Sequence, residues 1–401
     1  MTLLPERGNG SRKVCVLTSV HSPEDVRIFH KEAVSLAAAG YEVTIVAPHP
    51  NDISLGAVQV KSVPLPKARS DRMLRTVWSV FQAGRREAAF AYHLHDPELL
   101  PVGLLLKLSG RRVIYDVHED VPRDILDKDW IPRWLRKPIA MLAGFIEIAA
   151  ASKFDAVVAA TPSIARRFPP EKTCVLQNFS ILGELDVAGG GLGVACGKEN
   201  MFVYVGGISE IRGIRQMIAA LHLLSPSLRA RCAIAGRFDS AKLEKEVSCL
   251  AGWSSTNYLG WQSRTQVATL LAQVRVGLLL FQPVANHTES VPTKLFEYMS
   301  AGLPVIASDF PLWREIVEET GCGLLVDPTK PKAIAEGMEW MLTHIVEADN
   351  MGRRGAEAVR TCYNWNREEK KLLELYARLE RRSEQRMPIA LGLGNSAKEG
   401  K

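Results

Sequence analysis

The chain has 401 residues, of which 47% are hydrophobic and 23% are charged, a composition typical of folded globular proteins and not of disordered or fibrous ones. This length exceeds what a single hydrophobic core usually supports, so two domains are expected. The formal net charge of +6 is too small to indicate a partner nucleic acid, but it suits anionic substrates or an anionic membrane surface.

The cysteines and the first residues bear on where the protein works. The seven cysteines are scattered and never form a C-x-x-C pair, which favours reduced thiols over a disulfide framework or a zinc site. The opening MTLLPERGNGSRK has no apolar signal segment, and no uncharged apolar run reaches the length of about 18 residues that a membrane span needs. We therefore expect a cytoplasmic protein that does not cross the membrane.

Predicted strands and helices alternate along the first part of the chain. KVCVLTSV (13–20) predicts a buried strand, and SPED after it offers Ser22 as the N-cap of a helix that runs to Ala39 and ends at Gly40. Further predicted strands are YEVTIVAP (41–48), AYHLHD (91–96), RRVIYDVHED (111–120) and FDAVVAAT (154–161). This alternation predicts a parallel sheet covered by helices.

A glycine-rich segment without periodicity, residues 180–200, predicts a linker between two domains. A second alternating series follows it, from MFVYVGG (201–207) to GCGLLVDP (321–328). We therefore predict an α/β protein with two doubly wound Rossmann-like domains, residues 12–180 and 200–365, and a cleft between them. A charged final helix, residues 366–383, is expected to pack back toward the first domain.

Ligands of open α/β sheets bind beyond the carboxyl ends of the strands. The loops that follow Val20, Asp96, His118, Gly206 and Phe281 all occupy such positions. Two domains that face each other could each hold one substrate, so a reaction between two bound molecules is the simplest use of this arrangement.

The loop GGISEIRG after the first strand of the second domain has the features of a phosphate site. Gly206 and Gly207 follow the strand, and Arg212 precedes the next helix. Backbone amides at a helix N-terminus bind phosphate, and a guanidinium adds bidentate pairing to it. The alternative is a tight turn with a solvated arginine.

The stretch TESVPTKLFEYMSAGLPVIASD carries a second signal. It predicts a helix from Lys294 to Ala301 with Thr293 as its N-cap. A lysine in the first turn of a helix is disfavoured by the helix dipole unless an anion lies nearby, and such a local conflict often marks a site. Glu289 and Glu297 suit sugar hydroxyls better than phosphate, so together the residues predict a nucleotide-sugar. The alternative is an exposed amphipathic helix.

The chain resembles the retaining glycosyltransferases of family four, which have the GT-B fold of two Rossmann-like domains. HLHDPELLP, VIYDVHED, FVYVGGISEIRG and the Glu-x7-Glu segment carry the resemblance, which covers nearly the whole chain. It implies that Glu289 contacts the donor sugar, that Glu297 contacts the ribose, and that Ser290 and Val291 lie at the donor. It also implies that His118 contacts the sugar near the reacting carbon, although a lone histidine is often structural.

The resemblance implies retaining transfer of a hexosyl or N-acetylhexosaminyl unit, as in polysaccharide biosynthesis, from a UDP- or GDP-linked sugar to a glycan, lipid-linked or small-molecule acceptor. Two departures are present: Gly207 stands where the family often has arginine, and Arg212 where it has lysine. Pro292 also removes an amide that could face the phosphate, and Lys294 could restore the charge. The segment therefore resembles a subgroup with Pro-x-Lys in this turn.

Residues at the strand ends of the first domain are candidates for the acceptor side. His95 and Asp96 follow one strand, although Asp96 could simply cap the next helix. His21, Asp25 and Arg27 lie in the first loop and early helix, where they could receive an acceptor or cap the helix.

No cofactor and no metal site are predicted. The sequence has no G-x-S-x-G elbow and no clustered metal-ligand spacing, and Arg212 and Lys294 could neutralise the leaving diphosphate, so no obligatory metal is expected. Two other functions fit the same architecture, a nucleotide-sugar epimerase and a nonenzymatic nucleotide-sugar-binding protein. A dehydrogenase is disfavoured because the first loop lacks G-x-G-x-x-G.

Two segments mix basic and aromatic residues, WIPRWLRKPIAMLAGFIEIAAASK (130–153) and RSDRMLRTVW (69–78). One interpretation is peripheral docking on the anionic inner face of a membrane, within reach of a lipid-linked acceptor. The other is a core helix with a solvated face.

Overall fold

The structure, a computed structural model, describes residues 12–126, 128, 131–185, 199–288 and 290–384. They form two compact units. The first unit contains the described parts of Met1–His118, Ile146–Leu176 and Glu369–Lys401, and the second those of Glu119–Phe145 and Gln177–Glu368. The described part of Glu119–Phe145, which we expected in the first domain, groups with the second unit.

Among the residues that the structure describes, the sheet of the first unit has eight strands. They are β1 (Lys13–Leu17), β2 (Glu42–Pro48), β3 (Ile53–Leu55), β4 (Val58–Val63), β5 (Ala91–Leu94), β6 (Arg112–Val117), β7 (Ala156–Ala159) and β8 (Thr173–Val175). Their order is β3-β4-β2-β1-β5-β6-β7-β8, and every pairing is parallel except that of β3 with β4.

The sheet of the second unit has six strands, all parallel. They are β9 (Met201–Val205), β10 (Arg231–Ala235), β11 (Thr256–Gly260), β12 (Val276–Leu279), β13 (Val305–Ser308) and β14 (Gly323–Val326). Their order, β11-β10-β9-β12-β13-β14, is the doubly wound Rossmann order.

The α-helices are α1 (Val34–Ala38), α2 (Arg69–Asp71), α3 (Val77–Arg86), α4 (Leu100–Leu108), α5 (Val121–Leu126), α6 (Arg133–Ala151), α7 (Pro162–Ala165), α8 (Ile214–Leu223), α9 (Ala241–Ser248), α10 (Arg264–Gln273), α11 (Ala285–Thr288), α12 (Thr293–Ser300), α13 (Pro311–Thr320), α14 (Pro331–Thr343), α15 (Ile345–Thr361) and α16 (Trp365–Glu384). A π-helical segment, Val26–Ala33, leads into α1, and another, Arg72–Thr76, joins α2 to α3. Across the described ranges, none of these helices combines the length and the apolar character that a bilayer span requires.

Two predicted helix starts are wrong. The first helix begins at Val26 and not after Ser22, because the carboxylate of Asp25 accepts hydrogen bonds from the amides of Arg27 and Ile28. Helix α12 begins at Thr293 itself, with Pro292 at the N-cap position and no side-chain cap. The predicted end of the first helix is confirmed, since Gly40 follows it with a φ of +87°.

The strands β1 and β12 illustrate why the parallel sheets form. Their sequences KVCVL and VGLL are apolar almost throughout and buried, as expected for strands covered on both faces. Gly277 in β12 lets α12 approach closely, since a Cβ there would lie 2.3 Å from the ring of Tyr298. The Tyr298 hydroxyl accepts a hydrogen bond of 3.0 Å from the Val205 amide, which fixes α12 against the end of β9.

The order of each sheet reverses at one place, between β1 and β5 in the first unit and between β9 and β12 in the second. Loops that leave the carboxyl ends of such neighbouring strands diverge and leave a crevice for a ligand. The candidate residues at positions 21, 95 and 96 follow the first pair, and those at 206, 207 and 290–297 follow the second.

Candidate active site

The glycine loop after β9 receives the side chain of Lys294. Gly206 has a φ of +133°, and a Cβ there would lie 2.1 Å from Cε of Lys294 and 2.6 Å from its Nζ. Only glycine fits between this backbone and the lysine. The loop also needs Gly213, whose φ is +77° and whose Cβ would lie 1.9 Å from the Leu280 carbonyl oxygen.

Arg212 lies on the same loop. Its Nη1 donates a 3.0 Å hydrogen bond to the carbonyl of Gly207, which also accepts a 2.7 Å hydrogen bond from the Tyr204 hydroxyl. The guanidinium carbon lies 5.8 Å from the centre of the Phe281 ring. The structure therefore brings together two cations, Arg212 and Lys294, that the sequence placed on separate loops.

The electrostatics of the loop favour an anion. Burial lowers the pKa of Lys294, and the neighbouring charges of Arg212 and Arg264 lower that pKa further, while Glu297 opposes them. A pKa lowered in this way means that the protonated amine lacks compensating negative charge. Binding an anion beside Nζ would supply it.

Glu297 forms an ion pair that the sequence analysis missed. Its Oε1 accepts a 2.8 Å hydrogen bond from Nη1 of Arg264, and Arg264 is also bound by Glu184. The sequence did contain a feature that marks Arg264. It is the first residue of α10, where the helix dipole disfavours a cation just as it does at Lys294.

The turn before α12 is partly described. The carbonyl of Ser290 accepts a 2.6 Å hydrogen bond from Nε1 of Trp313, and Val291 packs against the core of the second unit. These contacts fix the backbone ahead of Lys294. Glu289, predicted to contact the donor sugar, lies outside the described residues.

In the first unit, two histidines meet at the carboxyl ends of β1 and β6. Nε2 of His118 lies 3.1 Å from Nε2 of His21, within hydrogen-bond distance. His21 also lies 3.4 Å from a carboxylate oxygen of Asp96 and 3.7 Å from one of Asp25. The structure thus groups four of the predicted residues, and Asp25 caps the first helix as well.

A buried ion pair lies next to His118. Nε and Nη2 of Arg27 donate to the two carboxylate oxygens of Asp116 at 2.8 and 2.9 Å. Burial acts to lower the pKa of His118, but its interaction with Asp116 outweighs burial and raises that pKa. Burial also opposes ionisation of Asp116, yet Arg27 and the nearby histidines hold the pKa of Asp116 well below its usual value.

Three of the residues predicted on the acceptor side are buried, and their role there stays a prediction. Arg27, His95 and Asp96 are buried, with at most 4% of each residue exposed. The carboxylate of Asp96 accepts hydrogen bonds from Thr18 and Ser19 and makes no side-chain cap on the helix that follows. These residues therefore lie beneath the surface formed by His21 and His118, which the sequence could not reveal.

The same region contains a cluster with metal-ligand chemistry. Glu32, His93, His95 and Asp116 bring donor atoms within 4.8 Å of one another, and all four residues are buried. Their sequence spacing did not reveal this grouping because they come from a helix and two strands. Arg27 binds Asp116 twice and lies 3.1 Å from Glu32. Burial and the neighbouring charge of Asp116 raise the pKa of Glu32 well above its usual value, so the single cation pairs with one ionised carboxylate, Asp116. The cluster fits an internal ion pair better than a bound metal ion.

Both halves of the chain match glycosyltransferase family models. The family described as "Glycosyl transferases group 1" matches residues 194–358, and the one described as "Glycosyl transferase 4-like domain" matches residues 26–178. Together the two matches span most of the chain.

Comparisons over most of the chain agree with these family matches. The chain is 24% identical to a phosphatidyl-myo-inositol mannosyltransferase of Mycobacterium leprae, over 85% of this chain and 89% of the relative. Its fold is similar to that of sucrose-phosphate synthase from Thermosynechococcus elongatus, with a TM-score of 0.75, 17% identity, and coverage of 92% of this chain and 99% of that one. It is also similar to Anabaena Alr3699/HepE in complex with UDP-glucose, with a TM-score of 0.67, 15% identity, and coverage of 91% and 99%.

These matches agree with the resemblance inferred from the Glu-x7-Glu segment and the glycine loop, and with the two parallel-sheet units of the structure. The chain belongs to the family-four type of glycosyltransferases with the GT-B fold, and it is an enzyme of glycosyl transfer.

Proposed function

We propose that the enzyme transfers a hexosyl or N-acetylhexosaminyl unit from a UDP- or GDP-linked sugar, with retention, to a glycan, lipid-linked or small-molecule acceptor. The observation that carries this proposal is the approach of Lys294 to Gly206, beside Arg212. Two cations at a glycine loop that opens a helix make a site for a diphosphate. The complex of Alr3699/HepE, a protein of similar fold, contains UDP-glucose.

In this proposal the second unit binds the donor. Arg212, Lys294 and the backbone of Gly206 and Gly207 hold the diphosphate, and Glu297 accepts a hydrogen bond from the ribose. The cations also stabilise the charge that grows on the diphosphate as it leaves, which is where electrostatic catalysis has its largest effect. For that reason we propose neither a cofactor nor an obligatory metal ion.

The first unit binds the acceptor, with His21 and Asp25 on its exposed side, and His118 keeps the predicted contact with the sugar near the reacting carbon. Retention by double displacement would need a carboxylate free to attack the sugar. Two carboxylates close to His21 and His118 do not meet this need, since Asp96 is bonded to Thr18 and Asp116 to Arg27. We therefore propose same-face attack, in which the leaving phosphate takes the acceptor proton.

The test begins with the donor. Thermal unfolding in the presence of UDP-, GDP-, ADP- and dTDP-sugars identifies the base, since a ligand of the folded state raises the melting temperature. The preferred donor is then incubated with acceptors, and the product is analysed by proton NMR. An α-linked donor is expected to give an α-glycoside that forms in EDTA. A β-linked product, or activity lost in EDTA and restored by Mn²⁺, would contradict the mechanism.

A control reaction addresses the epimerase that the sequence left open. The donor is incubated alone and followed by NMR. An epimer formed without acceptor would favour epimerisation, whereas glycoside formed only with acceptor supports transfer.

We also propose that α6 docks on the anionic inner face of a membrane. One side of the helix exposes large apolar side chains, with Trp134 76% and Phe145 71% exposed, and Arg133 and Lys137 are exposed beside them. An apolar stripe flanked by cations suits an anionic lipid surface. The name of the Mycobacterium leprae relative indicates a lipid acceptor, which such docking would bring within reach.

Vesicle flotation tests this docking. The wild type is expected to float with phosphatidylcholine vesicles that contain phosphatidylglycerol. The double variant Trp134→Ser, Phe145→Ser is expected not to float with these vesicles. Val346→Ser is the matched control, because Val346 is similarly exposed on α15. Equal flotation of all three proteins would contradict docking through α6.

A further inference from the structure

Arg264 is shared between two carboxylates of the second unit. Its Nε and Nη2 donate to Oε1 and Oε2 of Glu184 at 2.8 and 2.7 Å, and its Nη1 donates to Oε1 of Glu297 at 2.8 Å. We propose that Arg264 is a positioning residue that holds Glu297 in the orientation that binds the donor ribose. This inference rests on the ribose contact of Glu297 in the proposed function.

The backbone of Arg264 is held in place. It is the first residue of α10, directly after Ser263, whose hydroxyl accepts from the amide of Gln266 while the Gln266 side chain accepts from the amide of Ser263. This capping box fixes the start of the helix. The guanidinium therefore projects from a rigid point, and its bidentate contact with Glu184 fixes the plane of the fork.

Arg264 also decides which cation Glu297 pairs with. Lys294 and Glu297 are three residues apart on α12, a spacing that makes side chains neighbours on a helix. If Arg264 were absent, Glu297 would be free to pair with Lys294, and both groups would be withdrawn from the donor. The 2.8 Å contact with Arg264 instead holds Glu297. Within the described ranges, Lys294 makes no ion pair, so its amine stays available to the diphosphate.

A lysine could not replace Arg264. The observed arrangement uses three separate N–H donors in one plane, two on Glu184 and one on Glu297. An ammonium group is a point charge without this fork. The structure thus assigns Arg264 a geometric role that charge alone would not fulfil.

Calorimetry on the full chain tests the inference. The dissociation constants of UDP and GDP are compared with those of their 2′,3′-dideoxy counterparts, and the ratio measures how much the ribose hydroxyls contribute. A hydrogen bond to a charged group contributes enough to change this ratio about tenfold or more. The wild type is expected to show such a ratio, and Glu297→Ala is expected to lose it.

Arg264→Gln and Arg264→Lys are expected to bring the ratio close to one, and Glu184→Gln to lower it in part. Glu184→Gln also serves as the test if an Arg264 variant fails to melt cooperatively. Arg360→Gln, which breaks an exposed ion pair with Glu357 on α15, is the matched control and is expected to keep the wild-type ratio.

The outcomes separate the inference from the proposed function. A ratio that Glu297→Ala leaves unchanged overturns the ribose contact and, with it, the role of Arg264. A ratio that falls in Glu297→Ala but stays at the wild-type value in the Arg264 and Glu184 variants overturns only the role of Arg264.

Discussion

The contact between Gly206 and Lys294 gives a specific prediction for Gly206→Ala. The new methyl group would lie 2.1 Å from Cε and 2.6 Å from Nζ of Lys294, so the lysine side chain has to leave its place on the loop. The φ of +133° at this position is also one that alanine rarely adopts. The substitution therefore perturbs both the loop and the lysine.

The two effects have different sizes and different readouts. Backbone strain at a position that requires glycine costs of order 1–3 kcal/mol of folding free energy. Displacing Lys294 would remove its proposed charge-assisted contact with the diphosphate, worth about 1.5–3 kcal/mol. That free energy corresponds to an increase of about ten- to a hundredfold in the dissociation constant of the nucleoside diphosphate.

Isothermal titration calorimetry with UDP and GDP measures the loss of affinity, and thermal unfolding measures the loss of folding free energy. Gly302→Ala is the matched control. Gly302 follows α12, the helix that carries Lys294, with a φ of +68°, and a methyl group there would meet no atom within 4 Å. The Gly302→Ala variant should lose folding stability but keep the wild-type affinity for UDP and GDP. If Gly206→Ala folds and binds both diphosphates with wild-type affinity, Lys294 is not part of the phosphate site.

The charges of the two units give three further predictions. The pKa of Lys294 is lowered in the free protein, and a bound anion would raise it. The affinity for the diphosphate should therefore fall as pH rises through the pKa of the free protein. In calorimetry, Lys294→Met should bind the diphosphate weakly and without this pH dependence. Arg212→Ala with Lys294→Ala should bind the diphosphate more weakly than either single variant, and unchanged affinity in both single variants would remove them from the site. Burial lowers the pKa of His93 from 6.5 to about 4, so the unfolded chain takes up a proton at this histidine first as pH falls, and His93 by itself should lower the free energy of unfolding by about 2 kcal/mol between pH 7.5 and 5. Hydrogen exchange of β5 amides, corrected for intrinsic rates, should show a drop that is larger in the wild type than in His93→Gln by this amount, and equal drops in the two proteins would refute its assignment to His93.

The architecture and the position of the glycine loop after β9 followed from the sequence, for local reasons. Apolar runs bounded by glycine and proline define buried parallel strands, and their alternation with helices leaves few possible sheet topologies. The glycines after β9 and the lysine at the start of α12 were visible as local features that a structural role alone did not explain. For the same reason, the unusual arginine at the start of α10 could have been noticed.

Only the tertiary structure decided which side chains meet. Arg27 and Asp116 are 89 residues apart in the chain, and no local pattern indicates that they form one buried ion pair beneath His118. Arg264 and Glu184 are separated by 80 residues, and their contact determines how Glu297 is held. Periodicity determines which face of an element is buried, whereas the pairing of charges depends on distances between elements that only packing establishes.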